Sequence, residues 1–417
     1  MTNRRVVITG MGAVTPCGIG VDKFWKSMKE GKSGISSIEN VSHEGQAVTI
    51  AAEIKKADFN PDELFGAKEA RRMDRFTQFA MIAAEEAIND AKLKDANIDP
   101  YRIGVIVSAA AGGFDTYEKS HLAMIEKGPT KCSPFTIPML IVDMASGRIS
   151  MKYGFKGVNK AVVSACATGT HSIGDALRSI QYGDADVIVA GGCEATVTTL
   201  GMGAFAACRA LSKRNDEPQK ASRPYDKDRD GFVMGEGAGV LILEEYEHAL
   251  KRGAKIYAEV IGYGQTADAH DIVAPDPEGN GALKAMEFAL RDAKIEPKDV
   301  DYINPHGTST GLGDIAESQA IAQIFGDKEK NPNLLVSSTK SMHGHMLGAT
   351  GAIEAIICTK AITDGIVPPT INLDNQDEHV ANLDYVPHKA RQKNVKIALS
   401  NSFGFGGHNA TLVFKAI

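Results

Sequence analysis

The sequence predicts an α/β protein with an internal duplication, and three observations support this. Strand-like and helix-like runs alternate along the 417 residues. Several strand-like runs are continuous in Val and Ile, which is typical of strands covered by helices on both faces. Residues 161–171 and 334–345 both read as a strand, a turn of small residues and the start of a helix. We therefore expect layered helices and sheets in two related halves.

The individual elements follow from apolar spacing. Apolar residues recur every three or four positions in the helix candidates and form short runs in the strand candidates. A charged stretch near residues 244–253 separates the halves, so we expect one domain over 1–250 and a second over 251–417. The predicted strands are residues 5–9, 103–107, 160–164, 187–190, 239–243, 300–303, 334–337 and 395–400. The predicted helices are residues 75–91, 171–182, 283–293, 315–324 and 352–364.

Bulk composition limits the possible partners and compartment. The formal net charge is −6 and the pI is about 6.0, so we expect no global attraction to nucleic acid or to an anionic membrane. No apolar run approaches the roughly 20 residues that span a bilayer, and the strand-like start resembles no signal peptide. The six cysteines are scattered without a CxxC pair, which favours a reduced cytoplasmic protein with no membrane insertion.

One cysteine has the setting of a nucleophile. Cys166 lies among small residues between a strand-like run and a helix-like run. The free N–H groups of the helix start are expected to favour the thiolate at such a corner. The alternative at this point is a buried structural cysteine.

Two further segments contain candidate histidines. His306 follows a strand-like run and precedes Gly-Thr-Ser-Thr, while His343 and His345 follow Lys340. Strand ends gather ligands in open α/β folds. Spacing alone does not decide between His343 and His345. No carboxylate or cysteine stands at a ligand-like spacing, so we expect no metal.

Two segments resemble known motifs, and a third is rich in glycine. Residues 226–231 match the first half of a calcium loop, but Gly237 occupies the twelfth position, where a bidentate carboxylate is required. Residues 235–239 resemble part of a dinucleotide fingerprint but precede a strand. Residues 402–408 place two phenylalanines among glycines, which is compatible with a loop that covers an apolar pocket or with a simple turn.

Taken together, these segments resemble the β-ketoacyl-[acyl carrier protein] synthases, over essentially the whole chain. The opening at residues 6–16, the stretches 223–233 and 235–239, and the HGTST and GFGG segments match the family in order. The resemblance implies a thiolase-like fold, a duplicated α-β-α-β-α layered sandwich, and a homodimer.

The resemblance also implies residue roles. It makes Cys166 the nucleophile and His306 and His345 the two active-site histidines, which leaves His343 outside the site. The remaining implied residues are the active-site lysine Lys340, the ordering carboxylate Glu354 and the gate Phe405.

The implied reaction is a decarboxylating Claisen condensation. An acyl group passes from an acyl carrier protein to Cys166, malonyl-[acyl carrier protein] loses CO2, and the resulting enolate attacks the acyl thioester to give 3-oxoacyl-[acyl carrier protein]. No resident cofactor is expected, because 4'-phosphopantetheine arrives on the carrier. Donors from His306 and His345 are expected to stabilise the developing enolate.

The resemblance carries further expectations for substrate recognition. Ala111 stands where relatives often have isoleucine beside the acyl pocket, which predicts easier admission of long or branched chains. Four basic residues align with positions that dock the acyl carrier protein in relatives; otherwise they are solvated surface charges. These residues are Lys68, Arg71, Arg72 and Arg209.

Three positions depart from the family pattern. Pro305 replaces the usual alanine, Gly311 replaces a common proline, and His343 stands where threonine is usual. A histidine two residues from His345 is expected to perturb the titration of His345.

Other functions remain open at this point. A Cys–His thioester hydrolase needs only the nucleophile and one imidazole. A catalytically silent partner subunit is disfavoured by the intact Cys166, and a degradative thiolase by the second histidine. Carbon–carbon bond formation with malonyl-[acyl carrier protein] discriminates the condensing enzyme from the hydrolase.

Overall fold

The computed structural model describes residues 4–94 and 96–417. Its strands are β1 (Val6–Thr15), β2 (Gly18–Ile19), β3 (Ser36–Ser37), β4 (Ile50–Ala51), β5 (Ile103–Ser108), β6 (Val187–Glu194), β7 (Gly237–Glu245), β8 (Ala258–Ala267), β9 (Tyr302–Asn304), β10 (Leu335–Val336), β11 (Ile366–Val367), β12 (Arg391–Gln392), β13 (Ile397–Gly404) and β14 (His408–Lys415). Its helices are α1 (Val21–Glu30), α2 (Pro61–Phe65), α3 (Ala67–Ala70), α4 (Arg75–Asp90), α5 (Phe114–Lys127), α6 (Thr136–Leu140), α7 (Met144–Tyr153), α8 (Thr168–Tyr182), α9 (Thr199–Ala207), α10 (Tyr246–Lys251), α11 (Asn280–Ala293), α12 (Gly311–Phe325), α13 (Lys340–His343) and α14 (Thr350–Asp364).

The main sheet consists of two half-sheets with the same strand order. The full order is β10-β9-β13-β14-β8-β1-β7-β6-β5. In one half, β10, β9 and β13 are parallel, and β14 and β8 follow as antiparallel neighbours. In the other, Asn159 forms a parallel bridge to β5, β5 is parallel to β6, and β7 and β1 follow as antiparallel neighbours. The matching order is that of a duplicated unit, although the division after residue 250 stays a prediction.

Equivalent strands of the two half-sheets pack closely on equivalent outer helices. A Cβ on Gly12 of β1 would lie 1.9 Å from the Ala83 carbonyl oxygen of α4. A Cβ on Gly264 of β8 would lie 2.0 Å from the Ala285 carbonyl oxygen of α11. Both distances are far inside van der Waals contact, so glycine is required for helix and strand to approach this closely.

The helices α8 and α14 form the layer between the half-sheets. Ile173 and Leu177 of α8 and Ile353 and Ile357 of α14 are fully buried in one core with residues of both half-sheets. Burial of each such side chain contributes about 1.5–3 kcal/mol. Because α8 follows Cys166 and α14 follows His345, this central layer brings the two candidate segments together.

The predicted strand at residues 160–164 is wrong. The Lys160 N–H donates to the Val105 carbonyl oxygen at 3.4 Å, but two later N–H groups of the segment bond to side chains instead of to a neighbouring strand. The Val162 N–H donates to Ser108 Oγ at 3.0 Å, and the Ser164 N–H donates to Thr168 Oγ1 at 2.9 Å. The structure also contains elements that the sequence did not reveal, including β8, β14, α1, α5, α7 and α9. None of the described helices is both long and apolar enough to cross a membrane.

Candidate active site

Cys166 lies on a strained corner that a glycine of a distant loop covers. The residue belongs to a short 3-10 helix (Ala165–Ala167) directly before α8, and Ala165 has φ of +50°. A non-glycine residue in this region costs roughly 1–2 kcal/mol. A Cβ on Gly404 would lie 2.7 Å from the Ser164 carbonyl oxygen and 3.0 Å from the Cys166 nitrogen. The 402–408 loop therefore needs glycine where it crosses the cysteine.

The resting form of Cys166 is the thiol, which corrects the expectation of a thiolate. Burial raises the pKa of the Cys166 thiol to about 12, against the lowering effects of the Lys340 charge and of the hydrogen bond from the Phe405 N–H. Loss of hydration for the charged sulfur outweighs both of these lowering effects. The thiol must therefore lose its proton when it attacks a substrate.

His306 and His345 lie together beside Cys166. Their ring centroids are 5.3 Å apart, and their planes meet at 85°. Both rings line the same cavity as Cys166 and Phe405, and its volume is about 360 Å³. His306 enters from the turn after β9, and His345 from the turn after α13. The structure thus brings these four predicted residues to one site.

Both cavity histidines are neutral near pH 7. Burial is the main cause that holds the pKa of His306 and the pKa of His345 well below the usual value, and the Lys340 charge lowers both further. The His345 Nδ1 lies 3.2 Å from Thr350 Oγ1. Each neutral ring carries one N–H donor and one acceptor nitrogen. In the resting site the two rings can thus act as hydrogen-bond donors and acceptors without carrying charge.

Lys340 and Glu354 form a buried ion pair next to this cavity. Lys340 Nζ donates to Glu354 Oε1, and both side chains are almost fully buried. Burial raises the pKa of Glu354 above its ordinary value, although the Lys340 charge and the hydrogen bond from Lys340 oppose this rise. The Lys340 charge also lowers the pKa of Cys166, so the lysine acts on the site through its field rather than by lining the cavity.

Glu317 of α12 holds the His306 turn, and the sequence did not reveal it. Its carboxylate accepts the N–H of His306 at 2.7 Å and the N–H of Gly307 at 2.8 Å. The Asn401 amide donates to the same carboxylate at 3.2 Å. Burial raises the pKa of Glu317 to about 7. The carboxylate accepts backbone N–H groups eleven and ten residues away. A role of this kind leaves no local motif in the sequence.

Phenylalanines form one wall of the cavity, and sequence reasoning identified only Phe405 among them as a site residue. The Phe405 ring centroid lies 6.3 Å from that of Phe205. Phe232 packs edge-on against His345 at 5.1 Å, and Phe403 lies 5.7 Å from His306. This wall limits the access of water to the two imidazoles and leaves an apolar surface for a substrate.

Ala111 lies outside the described cavity lining. Its N–H donates to Glu194 Oε1 at 3.2 Å, and the same buried carboxylate accepts the N–H of Gly348 at 3.1 Å. Burial raises the pKa of Glu194 to about 7. Glu194 therefore joins the loop after β5 to the segment before α14, and the role of Ala111 in chain-length selection stays a prediction.

Both ring nitrogens of His343 have hydrogen-bond partners within the protein, whereas His345 lines the cavity. The His343 Nδ1 lies 2.8 Å from the Gly344 carbonyl oxygen, and its Nε2 lies 3.0 Å from Thr339 Oγ1. Burial lowers the pKa of His343 to about 3. His343 also contributes to the lowered pKa of His345, so it perturbs that titration as its position in the sequence suggested.

The calcium-loop look-alike is a structural junction. The Asp226 carboxylate accepts the N–H of Asp228, Asp374 and Asn375 and pairs with Arg223 at 3.0 Å. These contacts tie residues near 226 to the segment near 375. In the part of the chain that the structure describes, no group of three His, Cys, Asp or Glu side chains is arranged for a metal ion.

The four basic residues occupy different surroundings. Arg209 is exposed and lines the cavity. Lys68 and Arg71 are exposed in and just after α3 and do not line it. Arg72 is half-buried, pairs with Glu69 at 3.1 Å and lies over the Phe135 ring at 4.9 Å. Lys68, Arg71 and Arg209 thus present the most accessible charges of the set.

Comparison with protein families gives two adjoining matches. Residues 3–249 match the family described as Beta-ketoacyl synthase, N-terminal domain, and residues 257–374 match Beta-ketoacyl synthase, C-terminal domain.

Curated relatives match over the full length. The chain is 50% identical to 3-oxoacyl-[acyl-carrier-protein] synthase 2 of Vibrio harveyi over 417 residues, which covers 100% of both chains. It is 50% identical to the protein of the same name from Synechocystis sp. over 415 residues, with 100% of this chain and 99% of the relative covered. The Staphylococcus aureus (strain N315) protein of that name is 51% identical over 413 residues, with 99% and 98% covered.

Solved ketosynthases share the fold. A ketosynthase in complex with its type II PKS acyl-carrier protein superimposes with a TM-score of 0.91 at 36% identity, with 100% of both chains covered. A β-ketoacyl synthase from Burkholderia phymatum STM815 gives a TM-score of 0.91 at 34% identity, with 99% of this chain and 100% of that chain covered. These neighbours confirm the predicted thiolase-like class.

Proposed function

This chain belongs to the β-ketoacyl synthase family, and we propose how its site performs the family's condensation. It catalyses the decarboxylating Claisen condensation of an acyl thioester with malonyl-[acyl carrier protein] in fatty acid elongation, which yields 3-oxoacyl-[acyl carrier protein] and CO2. The observation that supports our residue assignment is the single cavity lined by Cys166, His306 and His345.

Acyl transfer to Cys166 is the first step. The sulfur attacks the thioester carbonyl on the phosphopantetheine arm, and the thiol proton passes to a neutral imidazole, because the raised pKa of Cys166 disfavours free thiolate. The phosphopantetheine sulfur leaves and is protonated. Backbone N–H groups of Cys166 and Phe405 stabilise the oxyanion of this step, as donors placed where negative charge develops.

Decarboxylation and condensation form the second step. The malonyl carboxylate leaves as CO2, and its bonding electrons become an enolate on the malonyl thioester. His306 and His345 donate hydrogen bonds to the enolate oxygen, which neutral rings can do while the pKa of each stays low. The enolate carbon attacks the acyl carbonyl, the Cys166 sulfur departs as thiolate, and a proton taken up from solvent water restores the thiol.

Three residues support these steps. Lys340 supplies positive potential beside Cys166, and Glu354 neutralises and orients that lysine from within the core. Phe405 gates the cavity: its ring packs near Phe205 while its N–H contacts the Cys166 sulfur. A shift of the 402–408 loop would therefore move the ring and the N–H together.

The acyl carrier protein brings both substrates, and its docking is part of this proposal. Arg209 stands where the phosphopantetheine arm would enter, because it is exposed and lines the cavity. Lys68, Arg71 and Arg72, in and just after α3, would form a second basic surface for an acidic carrier. Electrostatic attraction of this kind mainly raises the association rate.

We assign a homodimer and a cytoplasmic location on separate grounds. The helices α5 and α6 expose large apolar side chains, among them Ile125 at 68% and Ile137 at 63%. Val163 is 51% exposed on the extended 160–164 segment at the sheet edge. Exposed large apolar side chains and an uncovered sheet edge are each typical of interfaces. All six cysteines are free, which fits a reducing compartment.

Mass spectrometry of the carrier protein tests the proposed function. Acyl- and malonyl-[acyl carrier protein] incubated with the enzyme should yield a 3-oxoacyl-[acyl carrier protein] two carbons longer than the starting acyl group. A Cys166→Ala variant should not extend the acyl chain. Release of the starting acyl group as free fatty acid, with no longer product, would instead identify a Cys–His thioester hydrolase.

A further inference from the structure

We propose that Ser164 and His171 form a positioning pair that holds the backbone of Cys166 in the geometry needed for acyl transfer. Ser164 Oγ lies 2.7 Å from His171 Nδ1, and both side chains are buried. Ser164 stands two residues before the nucleophile, and His171 stands five residues after it on α8. The inference rests on the proposed function and adds two residues to its machinery.

Ser164 is tied to the start of α8 through three different groups. Its N–H donates to Thr168 Oγ1 at 2.9 Å, and its carbonyl oxygen accepts the N–H of Ala167 at 3.1 Å. Its side chain contacts His171, one turn further along the helix. The residue is therefore clamped on both sides of the corner that presents Cys166.

These contacts hold a strained backbone conformation in place. Ala165, between Ser164 and Cys166, has φ of +50°, a region that alanine adopts only when its surroundings enforce it. Gly404 packs directly over the Ser164 carbonyl and the Cys166 nitrogen. If the Ser164 side chain lost its partner, Ala165 could rotate toward an ordinary conformation, and the Cys166 N–H would turn with it.

Such a rotation affects one chemical step selectively. Acyl transfer needs the Cys166 N–H within about 2.7–3.1 Å of the developing oxyanion. Alkylation of the same sulfur by iodoacetamide develops no oxyanion. The pair should therefore matter for acylation by a thioester and not for alkylation.

The surroundings of His171 suit a fixed neutral ring. The ring meets Tyr263 edge to face with centroids 6.1 Å apart. Asp175 and His408 are the nearby titratable groups that act on it, and burial, the largest cause, lowers the pKa of His171. A buried serine and histidine that only satisfy each other's hydrogen bonds would produce the same contacts, so rates on Cys166 must distinguish the two cases.

The experiment compares two single-turnover rates on Cys166, acylation by acyl-[acyl carrier protein] and alkylation by iodoacetamide. Ser164→Ala should slow acylation by roughly tenfold or more, because one oxyanion donor is displaced, while alkylation stays within about twofold of the unmodified enzyme. Ser164→Thr keeps a hydroxyl, so its acylation rate should stay close to that of the unmodified enzyme. His171→Leu should behave like Ser164→Ala, and His171→Asn, which keeps a polar atom near the Nδ1 position, should retain more of the rate.

Other results would contradict either the positioning role of Ser164 and His171 or the proposed function. Equal loss of both rates in Ser164→Ala and His171→Leu, or no loss in either, would overturn the pair's positioning role. If Ser164→Ala does not fold, the His171→Leu and His171→Asn comparison decides the question with the same two rates. Failure of the unmodified enzyme to acylate Cys166 would contradict the proposed function itself, whereas normal acylation in both disruptive variants would contradict only this inference.

Discussion

The imidazole rings of His306 and His345 meet edge to face, with centroids 5.3 Å apart and planes at 85°. They enter the site on separate turns. Glu317 holds the backbone of the first turn, and Thr350 contacts the ring of the second. Two neutral donors around one cavity are more than a cysteine hydrolase needs, and they match a reaction that places negative charge on a thioester oxygen.

The two histidines should be essential for condensation rather than for acylation. In His306→Ala or His345→Ala, the rate of 3-oxoacyl product formation should fall by roughly a hundredfold or more, because one enolate donor is lost. Acylation of Cys166 should fall much less, since the remaining ring can accept the thiol proton. Product formation by mass spectrometry and single-turnover acylation measure the two steps.

A matched control comes from the neighbouring histidine. His343→Thr removes a ring that does not line the cavity, so the rate of product formation should stay within a few fold. Equal losses in all three histidine variants would show that the family order of roles does not apply to this chain.

Removing only one charge of the buried Lys340–Glu354 pair should destabilise the protein strongly. Glu354→Gln leaves the Lys340 ammonium buried without a counter-charge, which should lower the free energy of unfolding by about 3–5 kcal/mol. The double variant Lys340→Met with Glu354→Gln should recover much of that loss, because neither charge remains buried. Urea unfolding of the single and double variants checks this, and additive losses would argue against a coupled pair.

His343 should make the protein less stable in acid. Its pKa is about 3 in the folded protein and about 6.5 when unfolded, so below pH 6.5 the unfolded chain takes up a proton that the folded protein excludes. Stability attributable to His343 is complete above pH 6.5 and falls toward pH 3, by about 2 kcal/mol at pH 5. The unfolding free energy of His343→Thr should therefore fall less steeply below pH 6.5 than that of the unmodified protein. Parallel pH profiles from pH 5 to 8 would contradict this.

Charge reversal should weaken carrier docking without harming the chemistry. Lys68→Glu with Arg71→Glu should raise KM for acyl-[acyl carrier protein], because both residues are exposed and an acidic partner would meet repulsion. Acylation of Cys166 by a small acyl thioester should not change. A KM that stays the same in the double variant would remove these residues from the docking surface.

Parts of the site were readable from the sequence because their signals are local. Cys166 stands out by its small neighbours, and His306 and His345 by short motifs after strands. Glu317 and Glu194 gave no such signal, because each accepts backbone N–H groups from distant segments and every residue except proline carries an N–H. The thiolate expectation for Cys166 failed for a similar reason: a helix start is visible in sequence, whereas burial of the sulfur is not.

In the fold, too, elements with a local sequence signal were predicted and elements set by distant contacts were missed. Strands rich in Val and Ile, such as β5 and β6, lie close to their predicted positions. Strand β8 was missed because Gly262 and Gly264 interrupt its apolar pattern, yet these glycines are needed where α11 approaches the sheet. Residues 160–164 have a strand's composition, but Ser108 and Thr168 supply hydrogen bonds that a neighbouring strand would otherwise provide.

The most direct test of the account follows one acyl group through Cys166. The enzyme is first loaded from acyl-[acyl carrier protein], freed of excess substrate, and then mixed with malonyl-[acyl carrier protein], with intact mass and peptide mapping at each stage. We expect an acyl adduct on Cys166 that disappears as 3-oxoacyl-[acyl carrier protein], two carbons longer, is formed. An adduct on another residue, or its release as free acid with no new carbon–carbon bond, would contradict the account.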